Sequence, residues 1–226
     1  TIETDMKIKA NQIDLEEVIK YIPGKSLMNL GLKKVSGVAN IDGSVKGFIS
    51  DSILPEVNMA FEISNGNVHK AGYPSARNIS LEGYFTNGKM QNNTTTRVDI
   101  RKFHAETEQS SIDLSGTLNN LDRIQYEINS DMDLELSEFK EFIPDTLMQD
   151  ARGRILARLV TKGVLPDSIG NDFVDYLLET SQFDLIINDL FLKVDSTLSL
   201  DSLSGQLTYD LHHFDANGLH VIIPSY

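Results

Sequence analysis

The sequence predicts a mainly β protein, an extended or curved antiparallel sheet built from two related repeats, with a few short helices. Three observations predict it. Apolar and polar residues alternate along most of the chain, glycine-containing turn pairs recur, and part of the sequence is written twice. Since successive side chains of a strand point to opposite faces, this alternation is typical of strands with one apolar and one solvated face. Strands that follow one another without long helices indicate antiparallel pairing.

The alternation predicts about ten or more strands. The clearest run is Ile124 to Leu134, where apolar positions alternate with Gln125, Glu127, Asn129, Asp131 and Asp133. The predicted strands lie at 2–10, 35–48, 57–63, 79–85, 96–103, 112–114, 124–134, 153–164, 183–194 and 203–211. β-Branched and aromatic residues are frequent in them, as expected for strands.

Four dipeptides have the chemistry of tight turns, because Asn, Asp and Gly tolerate positive φ. We expect these pairs to separate strands: Asp42-Gly43, Asn65-Gly66, Asn87-Gly88 and Asn217-Gly218.

Three short helices are predicted, near 14–22, 137–143 and 171–178. Asp14 is placed to cap the first, with Glu17 three residues later, and Pro23 ends it. Ser137 is a candidate cap for the second, which Pro144 ends. Their polar faces carry acids rather than Lys and Arg, so we expect these helices to dock on the protein rather than lie on a membrane.

Two blocks of the sequence recur in the same order. Residues 46–53 (KGFISDSI) and 162–169 (KGVLPDSI) are identical at five of eight positions, and the segment 15–23 (LEEVIKYIP) returns as 136–144 (LSEFKEFIP). We therefore predict one β-rich segment, 1–226, with a first repeat at 1–121 and a second, divergent repeat at 122–226. Repeat arrays generally work through an extended surface rather than a single catalytic pocket.

Composition excludes several classes of function. The net charge of −13 disfavours nucleic acid and anionic membrane surfaces as partners. There is no Cys, which excludes disulfides and thiolate metal sites. The longest apolar stretches, such as Val221-Ile222-Ile223, are far too short to span a bilayer. Because the chain begins at Thr1, we expect a segment of a longer protein, with any membrane anchor outside it.

No motif points to catalysis, a metal or a cofactor. The spacing Gly83-x-x-x-x-Gly88-Lys89 resembles a phosphate-binding loop, but Met90 stands where Ser or Thr is needed. His213 and Asp215 would supply only two metal ligands and are interpreted as solvated residues on a strand, whereas His69 and His104 are interpreted as surface residues. We expect a protein that is not an enzyme.

The order of the strand motifs resembles the AsmA-type proteins of Gram-negative bacteria, in particular their C-terminal periplasmic regions. The residues that carry the resemblance are the short helix ending in Ile22-Pro23, the spaced Gly37, Gly43 and Gly47, and the motifs Pro55-Glu56-Val57, 61–66 (FEISNG), 79–83 (ISLEG), Phe103-His104-Ala105 and 112–118 (IDLSGTL). The second copy departs from the pattern, with Asn188-Asp189 in place of Asn65-Gly66.

The resemblance implies a membrane-anchored periplasmic protein with a role in outer-membrane biogenesis, related to repeating β-groove proteins thought to carry phospholipid. Its partners would then be phospholipid acyl chains and adjoining repeats of the same full-length chain. From the residues alone, a structural or assembly module with a closed β-sandwich core is the simpler interpretation. The candidate lipid-facing residues are Val57, Met59, Phe61, Ile63, Ile79, Leu81, Val98, Ile100, Ile112, Leu114, Ile124, Tyr126 and Ile128.

Overall fold

The part of the chain that the structure describes forms a single antiparallel sheet of eleven strands in which every strand pairs with its neighbours in sequence. The computed structural model describes residues 2–20, 32–50, 54–142, 149–166, 173–193 and 199–223. The strands are β1 (Ile2–Asp14), β2 (Leu32–Ile49), β3 (Glu56–Lys70), β4 (Ala76–Thr86), β5 (Arg97–Glu106), β6 (Ser111–Asn119), β7 (Gln125–Glu135), β8 (Asp150–Val164), β9 (Ser181–Lys193), β10 (Ser199–Tyr209) and β11 (Phe214–Ile222). The prediction of a mainly antiparallel β fold is confirmed.

The helices are short and lie between strands. In the described residues they are α1 (Leu15–Ile19), the 3-10 turn η1 (Asn93–Thr95), the 3-10 helix η2 (Leu136–Phe142) and α2 (Phe173–Thr180). Asp14 caps α1 as predicted, because its side chain accepts a hydrogen bond from Glu16 N at 2.9 Å. Ser137 does not cap η2; it lies within the helix and donates to Glu135. Positions 21, 22, 143, 171 and 172 of the predicted helices lie outside the described residues.

The sheet is one layer deep in the part of the chain that the structure describes. All the described strands belong to this sheet, and no large side chain there is fully buried. The accessible surface of the chain is 14810 Å², whereas a compact monomer of its mass would expose about 10,000 Å². A closed sandwich core would require a second layer over the sheet.

The described parts of the two repeated sequence blocks occupy corresponding places in the fold. Lys46 lies opposite Asp5 of β1, and Lys162 lies opposite Glu127 of β7. In each copy, the residue eight positions before the lysine pairs with the last residue of the preceding strand, which is β1 or β7. The helix α1 begins directly after β1, and η2 begins directly after β7.

A glycine with positive φ occupies the next position upstream in each copy. Gly37 has φ 140° and Gly153 has φ 112°. At each of these glycines the register of pairing with the following strand shifts. Helix, glycine and lysine therefore recur in the same structural order. The division of the chain at residue 121 stays a prediction.

Three of the four predicted turns are wrong. Asp42-Gly43 lies within β2, Asn65-Gly66 within β3 and Asn217-Gly218 within β11. At Asn65 (φ 52°) and Gly218 (φ 59°) the register shifts instead, so the positive φ forms a bulge inside a continuing strand. Asn87-Gly88 does end β4, but it opens a longer connection that contains η1 rather than a tight hairpin turn.

Candidate functional site: an uncovered apolar sheet face

The cross-strand register brings twelve of the thirteen predicted apolar residues onto one face of the sheet. Residues directly opposite each other in an antiparallel pair share a face. Phe61 lies opposite Gly83, which lies opposite Ile100, and the same line continues through Gly116 to Ile128. Ile124, the thirteenth residue, lies one position before β7, and its carbonyl accepts a hydrogen bond from Leu165 N. We call this side of the sheet the apolar face.

One line of side chains on the apolar face crosses all eleven strands. Its members are opposite one another in the register: Ile13, Ala39, Ile63, Leu81, Phe103, Leu114, Ser130, Leu159, Phe183, Tyr209 and Phe214. Ser130 and the hydroxyl of Tyr209 are the polar groups in it. With strands spaced at about 4.8 Å, the ten intervals give a continuous apolar strip of about 48 Å.

The thirteen predicted residues are all half-buried. Burial of this degree comes from neighbours on the same face. Phe61, for example, lies across Gly83, where an added Cβ would come within 2.4 Å of the phenyl ring. The glycine therefore lets a large ring lie flat on the adjacent strand. Of the eleven residues of the strip, Ala39 and Ser130 are buried, Phe214 is exposed and the other eight are half-buried, so most of the strip remains partly accessible in the described structure.

The opposite face of the sheet is polar and charged. Ion pairs join neighbouring strands across it, among them Arg158 with Asp131 at 2.9 Å and Lys162 with Glu127 at 3.2 Å. A hollow of about 510 Å³ on this side is lined by Asp113, Asp131, Asp184 and Arg158 among others. Its lining also includes the exposed side chains of Leu156 and Ile186, but the three carboxylates and the guanidinium make it a poorer site for an apolar ligand than the apolar face. The two faces therefore differ sharply in chemistry.

The helix α2 lies over the apolar face near the ends of β7 and β8. The hydroxyl of Tyr176 donates to Val164 O at 2.7 Å and lies 2.8 Å from the hydroxyl of Tyr126. Burial and the neighbouring Tyr126 raise the pKa of Tyr176 to about 12. Gly163 makes this contact possible, because an added Cβ would lie 2.5 Å from the Tyr176 oxygen. Tyr126 is thus partly covered by protein.

Helix η2 lies at the other end of β7. Its Phe139 lines a mostly apolar hollow of about 260 Å³, together with Ala105, Ile112 and Leu134. The two helices therefore bracket the apolar face of β7 from opposite ends of the strand.

Glu138 of η2 joins the helix to the turn between β5 and β6. Its carboxylate accepts hydrogen bonds from the hydroxyls of Thr107 and Ser110 and, at 3.0 Å each, from the backbone N–H groups of Glu108 and Gln109. Burial opposes ionisation of Glu138, but the donors outweigh it and the pKa of this carboxyl lies below its ordinary value. The only mark of this contact in the amino-acid sequence is that Glu138 is one of the positions that the two repeats share.

The histidines do not form a metal site in the described residues. His213 lies in the turn between β10 and β11, not on a strand as expected, and its Nδ1 is 3.4 Å from Asp210. His104 on β5 contacts Asp113 at 2.9 Å and Glu106 at 3.1 Å, and these carboxylates raise its pKa. No group of three or more His, Asp or Glu side chains is arranged there to hold a metal ion.

The loop that resembles a phosphate-binding motif has a structural role. Asn87 is buried, and its side chain accepts from Val57 N at 2.8 Å and donates to Pro55 O at 2.7 Å. The loop continues into the three-residue η1 and not into a long helix whose N-terminus could hold a phosphate.

Among the described helices, none has the length and hydropathy needed to cross a membrane. No protein-family model, curated protein or solved structure matches the chain.

Proposed function

We propose that this chain is a non-enzymatic lipid-binding module whose apolar face holds phospholipid acyl chains. The observation that carries the proposal is the apolar strip that crosses all eleven strands without a covering layer in the described structure. Each CH₂ group that moves from water onto such a surface gains about 0.8 kcal/mol. Acyl chains could thus bind without specific headgroup contacts.

The charge distribution supports the same proposal. The acidic chain carries its cross-strand ion pairs on the opposite face, which keeps that side hydrated. A net charge of −13 also opposes adsorption of the whole molecule to an anionic bilayer. Lipid would then be taken up by the apolar face rather than by attraction of the protein to a headgroup layer.

The resemblance to AsmA-type proteins gives the proposal its biological setting. In that setting the chain is a periplasmic part of a membrane-anchored protein of a Gram-negative envelope, and it acts in outer-membrane biogenesis by binding or conducting phospholipid. The adjoining repeats of the same protein would continue the apolar strip. This setting rests on the order of the strand motifs alone.

The alternative is a structural or assembly module with a closed core and no ligand. It requires that the apolar face be covered, and the described part of the chain contains no second sheet that could cover it. A strip that stays partly accessible to water favours an occupant, since large contiguous apolar patches are uncommon on the surfaces of soluble monomers. This difference favours the lipid-binding function.

Native mass spectrometry of the purified protein tests the proposal. We expect phospholipid to accompany the wild-type chain and to be lost from Ile128→Asp, which places an unpaired charge on the apolar face. Asn129→Asp is the matched control, because Asn129 is the next residue of β7 and points to the polar face. A melting curve of each variant separates lipid loss from unfolding. A wild type that never carries lipid, with a strongly lowered melting temperature for Ile128→Asp, would favour the closed structural module.

A further inference from the structure

The unpaired edge of β1 corresponds to an edge of β7 that is already paired with β6 inside the sheet. In the described structure, β1 pairs with β2 alone, whereas its counterpart β7 pairs with β8 on one side and with β6 on the other. The side of β1 that is open thus corresponds to the side of β7 that β6 covers. A strand of thirteen residues with one unpaired edge is a template for a further antiparallel strand.

The β5–β6 hairpin, which pairs with β7 through β6, has a second point of attachment. Glu138, the third residue of η2, binds the turn of the β5–β6 hairpin through four hydrogen bonds from two hydroxyls and two backbone N–H groups. The hairpin is therefore held both along β6 and at its turn.

Glu17 occupies the same place in the first copy. It is the third residue of α1, which begins directly after β1 as η2 begins after β7. Asp5 and Glu127 occupy equivalent positions, because they lie opposite Lys46 and Lys162. The separation between Asp5 and Glu17 is one residue longer than that between Glu127 and Glu138, and the register shift between Ala10 and Ile13 accounts for the extra residue. Yet the Glu17 side chain is 63% exposed and contacts Lys20 of its own helix.

We propose that the open edge of β1 and Glu17 form a docking site for a β-hairpin whose turn carries hydroxyl donors, as the β5–β6 hairpin does. The last strand of the hairpin pairs antiparallel with β1, and the Glu17 carboxylate leaves Lys20 to accept the hydroxyl and backbone N–H groups of the turn. This inference does not depend on whether the apolar face binds lipid.

The same correspondence fixes the register of the docked strand. Asp5 takes the place of Glu127, which lies opposite Thr117, so Lys7 takes the place of Asn129, which lies opposite Ser115. Because β5 and β6 lie inside the sheet, a second copy of the chain cannot present this hairpin. A synthetic peptide of residues 97–119 can.

Cross-linking of that peptide to the intact chain tests the proposal. The protein has no Cys, so Lys7→Cys in the chain and Ser115→Cys in the peptide give a single defined pair for a short bismaleimide. We expect these two to cross-link. Asp215→Cys, on the open edge strand β11, reports docking at the wrong edge and is expected to give no product.

Variants at the turn contact distinguish docking from nonspecific strand pairing. Glu17→Gln should weaken peptide binding by roughly tenfold or more, since hydrogen bonds to a charged acceptor are lost. Glu16→Gln should have no effect, and Lys20→Met, which frees the carboxylate, should retain binding. A peptide with Thr107→Val and Ser110→Ala should bind as weakly to the wild type as the normal peptide binds to Glu17→Gln. Equal binding to the Glu17→Gln and Glu16→Gln proteins, or equal cross-linking at Asp215→Cys, would overturn the proposal.

Discussion

The two corresponding glutamates predict unequal effects of the same substitution on stability. Glu138 accepts four hydrogen bonds, while Glu17 forms an exposed pair with Lys20. In Glu138→Gln the amide oxygen can still accept, but the amide nitrogen cannot, so about two of the four donors lose their acceptor. At about 1 kcal/mol for each donor, the free energy of unfolding should fall by about 2 kcal/mol. Glu17→Gln should change it by less than about 1 kcal/mol.

Urea denaturation at pH 7 measures this difference, and its pH dependence provides a second check. The pKa of Glu138 is lower in the folded protein than its ordinary value. Its contribution is therefore fully present above the unfolded pKa of about 4.3 and is lost as the pH falls through the folded pKa. The difference in the free energy of unfolding between the wild type and Glu138→Gln should be constant near neutral pH and should decrease below about pH 4. Equal destabilisation by Glu17→Gln and Glu138→Gln, or a difference that does not decrease in acid, would refute this account of the anchor.

Two further predictions concern a glycine and a histidine. Gly153→Ala should destabilise the protein by about 2 kcal/mol or more, because φ is 112° and the new Cβ would come 2.5 Å from Asp189 O. Gly72 has φ 76° but no atom within 4 Å of the added Cβ, so Gly72→Ala should destabilise the protein less when both variants are melted. The pKa of His104, raised by its hydrogen bonds to Asp113 and Glu106, should exceed the ordinary value of about 6.5 when titrated by NMR. Its stabilisation is then fully present below pH 6.5 and is lost as the pH rises through the folded pKa, a trend that His104→Gln should abolish. A His104 pKa at or below 6.5, or destabilisation by Gly72→Ala equal to that by Gly153→Ala, would contradict these expectations.

The strands were predictable because their residues alternate. Each of the ten predicted segments overlaps an observed strand, and the shared apolar face follows from the same alternation once the register is known. β11 was missed. Its sequence, Phe214 to Ile222, contains Asn217-Gly218 in the middle and no regular alternation, and all its residues are exposed. The side chains of an edge strand that is exposed throughout need not alternate between apolar and polar residues.

The wrong turns have a related cause. A hairpin turn and a β-bulge both require residues that tolerate positive φ, so Asn-Gly and Asp-Gly pairs occur in each. The local sequence at Asn65-Gly66 does not distinguish them. The distinction depends on whether strand pairing continues on both sides, which is a property of the whole sheet.

The Glu138 anchor illustrates what sequence alone leaves out. Its four donors come from residues 28 to 31 positions earlier in the chain, and their convergence depends on the β5–β6 turn meeting the end of β7. The one available signal was the agreement between Glu17 and Glu138 within the repeat. Repetition of a polar residue in otherwise divergent copies can mark a contact between neighbouring units.

Fluorescence quenching by brominated phospholipid tests the central claim most directly, because the chain contains no Trp and a single introduced indole reports one position. Phe103 and Lys102 are adjacent on β5 and point to the apolar and polar faces, opposite Leu81 and Glu82 respectively. We expect lipid brominated in its acyl chains to quench Phe103→Trp strongly and Lys102→Trp weakly. Equal quenching at both positions, or none at Phe103→Trp in a correctly folded variant, would contradict an acyl-chain site on the apolar face.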